Sequence, residues 1–290
     1  MSEEWQERLR IPILLAPAVL IIVILFMGGL VMGFVQSLGY LPWAENFRWS
    51  LDAYVKIFND KGFLRSLALT LWIGVASTVL SMVFAMICAL VLRRDFPGKR
   101  LVMFVFQLNI SLPHVVGAIG ILFLFSQSGL LARIAYAVGV ITQPSQFPAL
   151  IYDPYAVGII LEYLWKAVPF TGVIVLAVLQ SVGEDYENVA QSLGASRWQR
   201  FWNVIIPLVT PGLLRASILV FAFTFGAFEV PYLLGRRFPS ALPVLAYRSY
   251  HDVDLNMRPE AMAMSMIIAA LIIVLILLYM RITEAYVRSD

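Results

Sequence analysis

The sequence predicts an all-α, polytopic membrane bundle of about six transmembrane helices, and three observations carry that prediction. Of its 290 residues 61% are hydrophobic and 13% charged, with a mean hydropathy of +0.84, which exceeds what a soluble domain needs to fill a core. Several apolar stretches reach the roughly 20 residues that a helix rising about 1.5 Å per residue needs to cross hydrocarbon. The strand-length alternation of a membrane β-barrel is absent.

The predicted spans cover residues 11–38, 64–92, 101–127, 153–181, 208–235 and 259–281, in one membrane domain of 1–290. The first follows a charged head with Arg8 and Arg10. It is too long for the core of a secretory signal and no small-residue cleavage site follows, so it reads as a retained span. Cys88 has no partner cysteine, which excludes an internal disulfide. The turn Arg93-Arg94-Asp95-Phe96-Pro97-Gly98-Lys99-Arg100 is short and basic, so the positive-inside rule assigns it to the cytoplasm. An even number of spans then makes both termini cytoplasmic. Outer segments also carry basic residues such as Arg133 and Arg236, so the bias is local. A scattered net charge of +3 gives no nucleic-acid surface, and anionic lipid accounts for the basic turn equally well.

Several spans carry helix-weakening residues: Pro113, Gly117 and Gly120 in the third, Pro169 and Gly172 in the fourth, Gly226, Pro231 and Gly235 in the fifth. A proline in hydrocarbon needs neighbouring protein or water to satisfy the carbonyl it frees, so broken helices suggest packing around a path. The alternative is that Pro and Gly are simply commoner in membrane helices. Ionisable residues inside spans are costly and face protein or water. His114, Glu162, Lys166 and Glu229 are therefore candidates for the path, with Tyr232 one turn beyond Glu229. Glu162 and Lys166, four apart, have the spacing of a helical ion pair. Arg215 reads as a snorkelling charge at the inner surface. Tyr40, Trp43, Trp49, Tyr54, Tyr247 and Tyr250 read as interfacial aromatics. The segment from Arg236 to Pro259 reads as a long outer loop, a surface for a soluble partner or merely solvated.

Residues 182–207 are the most informative stretch. Tyr186, Val189, Ala190 and Leu193 form one apolar stripe at helical spacing, with Glu184 and Asp185 favouring the N-terminus. Gly194 stands where a helix ends in a left-handed residue. Ser196 and Gln199 have capping-box spacing for a second short helix, whose apolar face would be Trp198, Phe201, Trp202 and Ile205. Pro207 and Pro211 then open a new helix into the bilayer. A cytoplasmic pair of amphipathic helices suits either the headgroup layer or a groove on a soluble partner.

This stretch resembles the cytoplasmic signature loop of binding-protein-dependent ABC permeases: Glu-Ala-Ala, three residues, Gly, nine residues, Ile-x-Leu-Pro. Here the glycine is Gly194, the nine residues are Ala195 to Asn203, and the quartet is Val204-Ile205-Ile206-Pro207. Asn188, Val189 and Ala190 occupy the first positions, so the acidic residue is missing, with Glu187 one place earlier. The runs Tyr163 to Phe170 and Phe225 to Gly235 are similar to stretches of spermidine/putrescine-type and sulfate-type permeases.

The resemblance implies the type I ABC importer permease fold and a bacterial inner-membrane location. It implies a coupling loop built from Glu187, Asn188, Ala190, Leu193, Gly194, Ala195, Trp198 and Pro207. It further implies docking on separate ATP-binding-cassette ATPase subunits that hold ATP and Mg²⁺, a second permease subunit in a heterodimer, and an extracytoplasmic solute-binding protein. The chain has no P-loop; Gly98-Lys99-Arg100 lacks its first glycine and hydroxyl. The solute expected is small and polar, such as a polyamine, with sulfate or another anion as the alternative. A secondary transporter would show internal repeats, and a membrane enzyme a catalytic cluster; neither is found, His114 and His251 lying far apart.

Overall fold

The structure, a computed structural model, describes residues 3–41, 49–183 and 185–288, with the side chains of 14–41, 49–181, 183 and 185–281. Trp43 and Glu184 fall outside these residues, as do the side chains of Arg8 and Arg10. Thirteen α-helices and no strand occur among the described residues. Six helical stretches are long and apolar enough to cross a membrane.

The chain divides into two compact units, Met1–Lys61 with Leu245–Ile267, and Gly62–Val244 with Ile268–Asp290. In the first unit, α1 (Glu3–Ser37) and α2 (Asp52–Asn59) are followed by the beginning of α3 (Lys61–Leu92). Leu25 and Phe26 of α1 are 72% and 67% exposed, a surface that only lipid or another apolar protein face solvates cheaply. The amphipathic α2 buries Ala53 and Ile57. It is held by Tyr54, whose hydroxyl meets Ser37 Oγ at 2.8 Å, and by Lys56, 3.4 Å from Glu260.

The second unit contains most of α3, then α4 (Lys99–Ser111), α5 (His114–Phe125) and α6 (Leu130–Ala137). After them come α7 (Val157–Val182), α8 (Asp185–Ser192), α9 (Arg197–Arg200), α10 (Ile206–Gly226) and α11 (Glu229–Leu234). Two helices belong partly to each unit: α12 (Leu242–Tyr250) and α13 (Arg258–Arg288). The centre of the second unit is α7, which packs against α4, α5, α10 and α11. One apolar cluster, with Ile73, Ala118, Ile159, Tyr163 and Val230, surrounds its first half. Another, with Ala89, Val175, Leu179 and Val209, surrounds its second half. Asp153 lies ahead of α7 rather than inside it: its carboxylate accepts Tyr155 N–H and Val157 N–H, each at 2.8 Å, and so satisfies the helix start.

Three expectations are corrected. The span drawn over 101–127 is two helices, α4 and α5, separated at Leu112 and Pro113, and the span-length apolar stretch runs from His114 to Ala137. Leu112 is extended, with φ −77° and ψ 139°, the conformation imposed on a residue before proline. The fifth span breaks at Ala227, also extended, and restarts as α11. The segment after Gly235 is not all loop, because α12 buries Leu242 and Val244 and its first N–H is met by Thr70 Oγ1 at 2.8 Å.

Where α5 crosses α7 the side chain must be absent. A Cβ on Gly117 would lie 2.6 Å from Trp165 Cζ3 and 2.9 Å from Glu162 Oε1. Gly117→Val is expected to force the helices apart and cost about 1–3 kcal/mol, seen as a lower unfolding temperature in detergent, whereas Gly120→Ala, with nothing within 4 Å of its Cβ, leaves it unchanged.

Candidate functional site

Two prolines set the problem that the membrane-embedded region solves. Pro113 has no N–H for the carbonyl four residues before it, Asn109, and Pro169 likewise deprives Trp165. Asn109 O keeps only a capping bond from Leu112 N–H, at 3.2 Å, and both carbonyls lie where water is scarce. Helices α4 and α7 answer by exchange. Asn109 Nδ2 donates to the Trp165 carbonyl, while Lys166 Nζ donates to Asn109 O at 2.7 Å, Ile110 O at 3.3 Å and Leu112 O. The three ammonium hydrogens thus cap the C-terminal carbonyls of α4, at the negative end of its dipole.

The ion pair expected between Glu162 and Lys166 does not form, because Lys166 is committed to these carbonyls. Glu162 is fully buried and its partner comes from α5: His114 Nδ1 lies 3.1 Å from Oε1 and 3.3 Å from Oε2. The imidazole stacks on Phe223 of α10, 4.4 Å between centroids, with Tyr163 at its edge. His114, Tyr163, Lys166 and Phe223 line a cavity of about 500 Å³ between α5, α7 and α10. Its ionisable wall is basic, and the Glu162 carboxylate is not part of it.

Of the five path candidates, the structure gathers His114, Glu162 and Lys166. Glu229 is the exposed first residue of α11, within electrostatic range of Glu162 but outside the cavity lining. Tyr232 is 48% exposed and rests on Phe228, 5.0 Å between ring centroids. Sequence reasoning missed Asn109, Tyr163 and Phe223. Only Asn109 carried a usable signal, an amide four residues ahead of a proline in an apolar stretch.

The loop after α7 has the expected turn chemistry. Gly194 takes φ 86°, Ala195 N–H donates to Ala190 O at 3.0 Å and Gly194 N–H to Gln191 O at 2.9 Å, the paired bonds of a Schellman turn. Ser196 and Gln199 form the reciprocal capping box, at 2.8 Å and 3.3 Å. One expectation fails beyond it. Pro207 does not open a separate helix, because α9 continues through a π-helical turn, Phe201–Ile205, into α10 without interruption from Arg197 to Gly226. In that wider turn Ile206 N–H reaches back to Phe201 O, which lets the proline ring follow without clashing with the preceding carbonyls. The apolar residues of the second helix do adjoin, the rings of Trp198, Phe201 and Trp202 lying 5.3–5.9 Å apart between centroids, but they are buried unequally. Phe201 and Ile205 turn into the cluster with α3 and α7, while Trp198 stays 69% and Trp202 49% exposed.

Tyr186, Val189 and Leu193 of the α8 stripe are 62%, 60% and 84% exposed. The loop is secured from behind: Glu187 Oε1 meets Arg93 Nη1 at 2.6 Å, just past α3, and Arg200 Nη1 donates to Gln191 Oε1 at 2.8 Å. Asn188 beside it is exposed.

Broken membrane helices around a cavity, with a stiff and apolar-faced loop leading into a span, define a multi-pass component of a transport system. Residues 81–289 match the family described as binding-protein-dependent transport system inner membrane component, and the chain belongs to that family; it is a permease subunit of an ABC importer. The sulfate transport system permease protein CysW of Synechocystis sp. is 26% identical over 246 residues, 83% of each chain. The trehalose transport system permease protein SugA of Mycobacterium tuberculosis is 26% identical over 199 residues, 68% of this chain and 63% of its own. A crystal structure of a bacterial ABC transporter involved in the import of the acidic polysaccharide alginate contains a chain of the same fold. The two superpose with a TM-score of 0.76 at 19% identity, over 98% of this chain and 99% of that one.

The exchange between α4 and α7 yields a ranked expectation. Asn109→Ala leaves one carbonyl unsatisfied and should cost about 1–2 kcal/mol of stability. Lys166→Met strips three carbonyls and should cost more, about 2–3 kcal/mol, both read as a lowered unfolding midpoint in detergent.

Proposed function

We propose that this chain forms one half of an importer's translocation path and that residues 182–207 are its coupling loop. Its partners are a second, non-identical permease subunit, ATP-binding-cassette ATPase subunits that hold ATP and Mg²⁺, and an extracytoplasmic solute-binding protein. Both termini are cytoplasmic, on the side of the basic turn 93–100.

The observation that carries the reading is an exposed apolar surface on a stiff mount. Tyr186, Val189, Leu193 and Trp198 present the surface that an ATPase cleft would cover. The Gly194 turn with Ala190 and Ala195, the capping box, and the pairing of Glu187 with Arg93 hold it in shape. Because Pro207 does not interrupt α9 and α10, displacement of the loop is carried into the fifth span as a rigid element. Glu187 is engaged within the chain, so docking rests on apolar contacts and on the neutral Asn188.

For the solute we infer a small oxyanion of the sulfate type. The ionisable groups lining the cavity are His114 and Lys166, and a cleft with a basic wall concentrates anions. A relative named for sulfate transport agrees with that sign. The second reading, a polyamine, is favoured by the exposed carboxylate of Glu229.

Leu193 is 84% exposed, so Leu193→Asp leaves the fold intact; it is expected to abolish co-purification of the ATPase. Gly194→Val, strained at φ 86°, should reduce ATP-driven uptake by more than tenfold while the spans remain inserted. Normal uptake in both variants would remove the coupling role. Uptake of labelled sulfate and of labelled putrescine by cells carrying the whole transporter decides the solute: putrescine transport that is lost in Glu229→Gln, without sulfate transport, would replace the oxyanion.

A further inference from the structure

Behind the coupling loop lies a second cavity, of about 420 Å³, between the end of α3 and helices α8 and α9. Four arginines line it, Arg93, Arg94, Arg197 and Arg200, against a single carboxylate, Glu187. That carboxylate is already bonded to Arg93 at 2.6 Å. Three guanidinium charges are therefore left in one concavity with no further carboxylate among its lining residues. Like charges gathered in one concavity repel, and a bound anion relieves the repulsion.

A second observation points the same way. Arg200 gives Nη1 to Gln191 Oε1 at 2.8 Å, yet its Nε is buried with no hydrogen-bond partner. Most buried polar atoms are paired; Arg236 and Arg258 also leave Nε open, but of the three only Arg200 lies in this arginine-lined cavity. Guanidinium forks match the paired oxygens of phosphate and hold them bidentately. Arg93 and Arg94 directly follow Leu92, the last residue of the 32-residue α3, so the cavity lies at the end of a helix long and apolar enough to cross a membrane, where basic residues meet anionic headgroups.

We propose that this cavity is a phosphate-binding site, taking either the phosphodiester headgroup of an anionic lipid or inorganic phosphate. Bound there, the phosphate links the end of α3 to both helices of the loop, so the site couples the lipid or anion environment to the loop's rigidity. The proposal stands apart from the solute; it adjoins the docking surface at Asn188, which lines the cavity, while its arginines lie outside the apolar face proposed for the ATPase.

The test uses the full-length purified chain and the double variant Arg94→Gln/Arg197→Gln, two exposed residues whose loss leaves the Arg93–Glu187 pair in place. Binding of phosphatidylglycerol and phosphatidylcholine is measured by native mass spectrometry, and binding of inorganic phosphate by calorimetry. The wild-type chain is expected to prefer phosphatidylglycerol, or to bind inorganic phosphate, and the double variant to lose about tenfold or more of that affinity. Retained phosphatidylglycerol identifies the lipid source; phosphate binding without lipid preference identifies the free anion. If the variant does not purify folded, modification of the wild-type arginines by phenylglyoxal serves, with Arg94 and Arg197 expected to be protected by the bound phosphate compound. A chain that binds neither probe, a variant that binds as the wild type does, or arginines that both probes leave unprotected would overturn the site.

Discussion

The membrane-embedded part of this protein depends on one constraint: a carbonyl deprived of its helical donor by proline must find another donor where water is scarce. Pro113 and Pro169 create two such carbonyls, and the side chains of Asn109 and Lys166 supply the donors in opposite directions across the same helix pair. The exchange makes α4 and α7 mutually dependent. It also explains how a lysine that is 8% exposed is tolerated inside a span, since its charge lies against three carbonyls at a helix C-terminus. With Lys166 so committed, the buried Glu162 needs a partner from elsewhere, and His114 at the first turn of α5 supplies it. The break after α4 thus aims His114 at α7 and opens the cavity beside it.

A different economy governs the loop. Its helices bury little apolar surface of their own, and short isolated helices are marginal. Local devices hold them: a left-handed glycine, a capping box, and polar ties from Glu187 and Arg200 to the residues behind. What remains exposed is the apolar face. The π-helical turn at 201–205 joins that face to α10 without a break in the helix. For the coupling role proposed for the loop, such a joint would carry movement without a flexible linker.

Much of this was legible beforehand because it is local. Apolar length announces spans, since the cost of exposing backbone to hydrocarbon is nearly independent of neighbours. Gly194 and the Ser196–Gln199 spacing announce a turn and a helix start because their geometry is complete within six residues. The order Gly194, nine residues, then the quartet closing on Pro207 carried the family, and the match over residues 81–289 agrees with it.

The sequence by itself therefore determined an all-helical membrane chain, the turn chemistry of its loop and the class of importer it serves. The tertiary structure alone decided who pairs with whom: His114 with Glu162, 48 residues apart, and Lys166 with the end of α4 rather than with the glutamate one turn away. Helical spacing made Glu162 and Lys166 look like partners, but the C-terminal carbonyls of α4, Asn109 O, Ile110 O and Leu112 O, competed for the ammonium and won. That competition is settled only when the helices meet, because the satisfaction of a buried polar group is a property of its surroundings and not of its place along the chain.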